Sequence, residues 1–152
     1  MKFIQPLLIT FIIVMISCGK DKFTTVPQVD VKSISPNNVQ SGDIIEMKGK
    51  YTDQEGDVDT VLIIYKWYNG AASFLPLDTF RFPMSALNLP DNTREGDIIV
   101  AYQYNTTNPN GYLTLPGVTV RDTTASLGLI LIDKAGNRSN YDESDKIRLI
   151  KP

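Results

Sequence analysis

From Val29 onward, apolar and polar residues alternate with a period of two, which predicts strands throughout. Val29, Val31 and Ser33 alternate with Asp30 and Lys32 in a first, edge-type strand, and Pro36-Asn37-Asn38 stops it. Ser41-Gly42-Asp43 turns the chain into a second strand, with Ile45, Met47, Gly49 and Tyr51 on one face. Val58 to Tyr68 is the most apolar stretch: Val61, Ile63, Tyr65 and Trp67 lie on one face, Leu62 and Ile64 on the other. Apolar residues on both faces predict a central place in a sheet. Asn69-Gly70 follows as a hairpin turn. Phe74 to Phe82 then predicts an edge strand, because Pro76 has no N–H to give a neighbour on both sides.

Residues 83–97 are a long connection, after which Ile98, Val100, Tyr102 and Tyr104 alternate with Ile99, Ala101 and Gln103. Beyond a turn region from Asn105 to Asn110-Gly111, short strands are predicted at Tyr112–Leu115 and Val118–Arg121. Leu127, Leu129 and Leu131 mark another strand, Asp133-Lys134-Ala135-Gly136-Asn137 a turn, and Lys146 to Ile150 a last strand. No window after residue 28 carries a helical period, and nothing repeats at a fixed interval. The expectation is an all-β antiparallel sandwich of about seven to nine strands. The residues Ser41-Gly42-Asp43, Tyr51 to Asp57 and Asp133 to Ser139 resemble turns of Ig-like domains found in secreted bacterial lipoproteins. That resemblance spans residues 28–151 and implies a single Ig-like fold, with Trp67 on a central strand but without the inter-sheet disulfide it commonly packs against.

Ahead of the strands lies a different pattern. Lys2 is followed by an apolar run, Leu7 to Ile16, broken only by Thr10, and by Ser17-Cys18. This is the layout of a secretory signal. A membrane span needs roughly 20 apolar residues, and Gly19-Lys20-Asp21-Lys22 cuts the run short. By itself the run also fits an ordinary cleaved signal or an uncleaved anchor. Met15-Ile16-Ser17-Cys18 resembles the lipobox of bacterial lipoproteins, with Met15 in place of the usual Leu and Ile16 in place of Ser or Ala. The resemblance implies lipidation of Cys18 with palmitate-type acyl chains, and a division into signal peptide 1–17, lipidated cysteine and tether 18–28, and sandwich 29–152. Lys20, Asp21 and Lys22 are similar to residues that send some lipoproteins to the outer cell surface.

Composition narrows the function. The chain has 15 basic and 17 acidic residues and no long basic run, so a nucleic-acid footprint or polybasic membrane patch is not expected. It contains no histidine, which excludes Ser-His-Asp and Cys-His nucleophilic machinery and histidine-containing zinc sites. Its single cysteine allows no internal disulfide.

Three constellations remain. Asp53, Glu55, Asp57 and Asp59 place four carboxylates at alternate positions around Gly56, and Asp133 and Asn137 are candidates to add oxygens from a later turn. Calcium takes about six to eight oxygens, so these six residues are its candidate ligands; a solvated polar turn is the competing reading. The spacing lacks the distal Glu of an EF-hand, and the loop is similar to the acidic loop of cadherin-like domains, some of which bind calcium. The aromatic residues Trp67, Phe74, Phe80, Phe82, Tyr102, Tyr104 and Tyr112 would suit sugar stacking if exposed, but Trp67, Phe80 and Phe82 stand at core-type strand positions. Paired carboxylates for glycoside hydrolysis arise by chance among so many acids, and turn positions leave them ionised. The resulting expectation is a non-enzymatic, lipid-anchored lipoprotein of the cell envelope, on the outer membrane. It would be held by its N-terminal acyl chains and would bind or scaffold an envelope protein or glycan. A calcium- or carbohydrate-binding module is the alternative.

Overall fold

The computed structural model describes residues 24–68, 74–87, 89–90, 92–107, 111–117 and 121–152. The segment 1–17, Cys18, residues 19–23, the Asn69-Gly70 turn, Asn110 and residues 118–120 lie outside the described residues.

Ten strands are described: β1 (Gln28–Ser35), β2 (Asn38–Val39), β3 (Ile44–Thr52), β4 (Val58–Tyr68), β5 (Phe74–Pro83), β6 (Glu95–Tyr104), β7 (Leu113–Leu115), β8 (Thr123–Asp133), β9 (Asp142–Glu143) and β10 (Ile147–Leu149). They form two sheets, one of four strands in the order β1-β3-β6-β7 and one of six in the order β2-β10-β8-β4-β5, with β9 also on β8. The all-β sandwich expected from the alternation is therefore present. It exceeds seven to nine strands because β2 and β9, two residues each, are too short to show a period. It is also not wholly antiparallel: β6 runs parallel to β7, and β10 parallel to β2.

The facing sides of the two sheets make one core, as period-two burial requires. Ile45, Met47 and Tyr51 of β3, Ile98, Val100, Tyr102 and Tyr104 of β6, Val61, Ile63 and Tyr65 of β4, and Leu127, Leu129 and Leu131 of β8 are all buried. Leu129 reaches across to β3, where a Cβ on Gly49 would stand 3.0 Å from its Cδ1. Strand β4 lies between β8 and β5, matching its two apolar faces, and β5 with Pro76 is an edge.

Strand β1 departs from its alternation. A bulge between Val31 and Ser33 shifts the pairing with β3, so Ile34 is buried and Ser33 is exposed. An extra residue on one strand reverses the facing of everything after it. The outer edge of β1 is covered by side chains: Asn140 accepts from the Val29 N–H and donates to its carbonyl, and Asp142 accepts from the Val31 N–H at 2.6 Å.

Candidate metal centre

The strand register gathers four segments at one end of the sandwich. Gln28 pairs with Thr52, Thr52 with Glu95, and Val58 with Asp133. The 53–57 loop, residues 92–94, the 133–137 turn and the start of β1 are therefore neighbours. Backbone bonds tie the loop to each: Asp53 N–H to the Arg94 carbonyl at 2.7 Å, Gln54 N–H to the Thr24 carbonyl at 3.0 Å, and Lys134 N–H to the Asp57 carbonyl at 3.1 Å. Gly56 turns the loop with φ of +70°, a conformation that strains residues bearing a Cβ.

Asp53, Glu55 and Asp57 come together, each offering an oxygen within 4.8 Å of the others. Asp53 is fully buried. Its Oδ2 accepts the Asp57 N–H at 2.8 Å, but its Oδ1 has no hydrogen-bond partner, and the buried Oδ1 of Asp57 has none either. Such atoms cost about 1–3 kcal/mol each, more when charged. Burial, then the nearby charges of Asp53 and Asp133, raise the Asp57 pKa above its ordinary value. The site thus holds more negative charge than its own donors offset, which is the demand a hard divalent cation meets.

The other candidates fall elsewhere. Asp59 is exposed, at a bulge between Val58 and Thr60, and accepts from the Thr60 hydroxyl at 2.8 Å. Asp133 is buried and spends an acceptor on each oxygen: Asn137 N–H donates to Oδ1 and Asn137 Nδ2 to Oδ2, both at 2.8 Å. Asn137 is thereby committed to closing its turn, and Asp133 contributes charge beside Asp57.

The aromatic set is drawn mainly into the core. Tyr102 and Tyr104 are fully buried, and Trp67, Phe80 and Phe82 pack against the core. Phe80 meets Tyr102 at a tilt of 44°, with ring centroids 5.4 Å apart. Tyr112 is exposed.

One polar cluster had no spacing to announce it. On the outer face of the six-stranded sheet, Glu143 of β9 accepts from Lys66 at 2.5 Å and from the hydroxyls of Tyr68, Ser126 and Tyr141. Its four bonds come from β4, β8 and the residue two before it, which no local motif encodes. Burial alone would raise the Glu143 pKa; the four bonds outweigh it and hold the carboxyl at about 2, against 4.5 ordinarily. Burial and the bond to Glu143 push the Tyr68 and Tyr141 phenols up. A carboxylate so fixed, facing phenols that stay protonated, has no proton to exchange near neutral pH. At the end opposite the acidic loop, a shallow depression of about 630 Å³ is lined by Tyr68, Arg121, Asp122, Lys146 and Arg148. Its one carboxylate, Asp122, is already bonded to Arg148 at 2.8 Å.

No family model matches the chain, and no curated protein matches it in sequence. Among solved structures, the sporulation control protein Spo0M from Bacillus subtilis is similar over 85% of this chain and 51% of its own, at 11% identity and a TM-score of 0.44. The alkylpurine DNA glycosylase AlkC from Pseudomonas fluorescens is similar over 79% of this chain and 30% of its own, at 12% identity and a TM-score of 0.36. The ApaA protein from Bordetella pertussis is similar over 83% and 94% respectively, at 10% identity and a TM-score of 0.35. This chain spans about half of Spo0M and under a third of AlkC. Likenesses this distant carry no functional argument.

Proposed function

We propose that this protein is a non-enzymatic, lipid-anchored β-sandwich of the bacterial cell envelope that serves as a binding or scaffolding module. The observation that carries the proposal is the single cysteine, Cys18, closing the apolar run Leu7–Ile16 ten residues before β1 begins at Gln28. Acyl chains on that sulfur would fix the protein to a bilayer, each buried methylene contributing about 0.8 kcal/mol. Ten extended residues would give the domain roughly 35 Å of reach. The chain joins the sandwich at the end bearing the acidic loop, so the opposite end would face an envelope protein or glycan partner. The test is the mass of the N-terminal peptide from native membranes. Diacylglycerol and fatty acid on Cys18 is the expected result, and an unmodified thiol would overturn the anchor.

A second reading is favoured by the unpartnered, buried Oδ1 of Asp53: the 53–57 loop holds a calcium-type divalent cation through Asp53, Glu55 and Asp57. Titration calorimetry is expected to give heat with calcium and none for Asp57→Ala. An unchanged melting temperature together with no heat for the unaltered protein would remove this reading.

A further inference from the structure

Resting on that second reading, we propose that a divalent cation bound by Asp53, Glu55 and Asp57 latches the exposed lead-in residues Thr24–Val26 onto the sandwich, so that cation concentration sets whether they are held or released.

The geometry makes one side of the loop the yielding one. Asp57 is held from behind, because its carbonyl accepts from Lys134 and the next residue, Val58, already pairs with Asp133 in the sheet. Gly56 backs directly onto Asn92 and Thr93; a Cβ there would stand 3.1 Å from the Asn92 carbonyl carbon. Asp53 is pinned by its N–H to Arg94. Between these fixed points sits Gln54, an exposed residue whose N–H holds the carbonyl of Thr24, itself exposed. Like charges gathered on Asp53, Glu55, Asp57 and Asp133 push the loop apart when no cation joins them. The movement open to it is on the Gln54 side, and that movement releases Thr24.

The lead-in segment is otherwise lightly held. Thr24 Oγ1 donates to the Val26 carbonyl at 2.5 Å, and Gln28 Nε2 donates to the carbonyls of Val26 and Pro27 at 3.2 and 2.9 Å, all bonds within the segment or to its neighbour. Pro27 is buried, whereas Thr24, Thr25 and Val26 are exposed. The Gln54–Thr24 bond is the described backbone bond joining this segment to the acidic loop. Freeing the exposed residues 24–26 would add roughly 10 Å of extended chain.

The test is hydrogen–deuterium exchange on the full-length chain in detergent, with calcium chloride or with EDTA, alongside calcium calorimetry on the same sample. Calcium is expected to give heat and to slow exchange of the Gln54 amide at least tenfold, with little change in the β8 peptide 127–131. Heat without slowed exchange at Gln54 would overturn the latch and leave the cation reading standing. Equal slowing at Gln54 and in β8 would mean general stabilisation and would also overturn the latch. Absence of heat would overturn both. Should Asp57→Asn fold, it is expected to lose heat and Gln54 protection together; the calcium-against-EDTA comparison on the unaltered chain decides the matter without it.

Discussion

Replacing Glu143 by Gln removes a charge while keeping the shape, and the structure supplies both the size and the pH dependence of the effect. The carboxyl is held at about 2 in the folded protein against 4.5 ordinarily. At full value that difference amounts to about 3 kcal/mol, since each tenfold change in acidity is worth about 1.4. The Glu143 side chain is 24% exposed and its Lys66 partner 15%, so solvent screening brings the expected loss to about 2 kcal/mol. In a domain of this length, that is a fall in Tm of roughly 6 to 8 °C. A folded-state pKa below the unfolded one gives stability that is complete above pH 4.5 and lost as pH falls through 2. Urea unfolding at pH 7 and at pH 3 measures it. The gap between the unaltered protein and Glu143→Gln should shrink by more than half at the lower pH, on the order of 1 kcal/mol. A gap that is the same at both pH values, or below about 0.5 kcal/mol at pH 7, would refute the assignment of Glu143 as an ionised hub. Glu143→Ala should cost more, about 3–5 kcal/mol, because it removes the one acceptor that Lys66, Tyr68, Ser126 and Tyr141 share.

Three further substitutions probe the packing. Leu129→Ala, at a fully buried site, should cost about 2–5 kcal/mol by denaturant unfolding. Combined with Gly49→Ala, whose Cβ would press on Leu129 Cδ1 at 3.0 Å, it should cost less than the two single losses added together. Gly128→Ala would place a Cβ 2.3 Å from Tyr141 Cε2 and drive that ring off the sheet, with an expected loss of about 1–3 kcal/mol and greater exposure of Tyr141 in ultraviolet difference spectra.

The long strands were legible because each buries one face: Ile45, Met47 and Tyr51, or Leu127, Leu129 and Leu131, announce themselves at a spacing of two. What escaped depends on events that leave no period. The bulge after Val31 exchanges Ser33 for Ile34 at the core, and the bulge beyond Val58 separates Asp59 from the carboxylates it follows in sequence. Strands β2 and β9 exist through their partners, Asn38 and Val39 beside Arg148 and Leu149, and Asp142 and Glu143 beside Leu129 and Gly128. Of the candidate site, the Asp53-Glu55-Asp57 trio could be read from local spacing, since a glycine-turned loop closes on itself. The commitment of Asn137 to Asp133, and the four donors around Glu143, come from backbone folding that juxtaposes distant residues.

Were the proposed anchor on Cys18 to hold this protein at a membrane, the edges of its two sheets would face neighbouring copies. A protein concentrated in a plane meets its copies far more often than one free in three dimensions, and an open strand edge would invite them to zip together. Here Asn140 and Asp142 bond the outward groups of Val29 and Val31 on β1, Pro76 brings no N–H near the start of β5, and β2 and β7 offer only two and three residues. At β1, β2 and β7, neighbouring copies would therefore find little backbone to pair with.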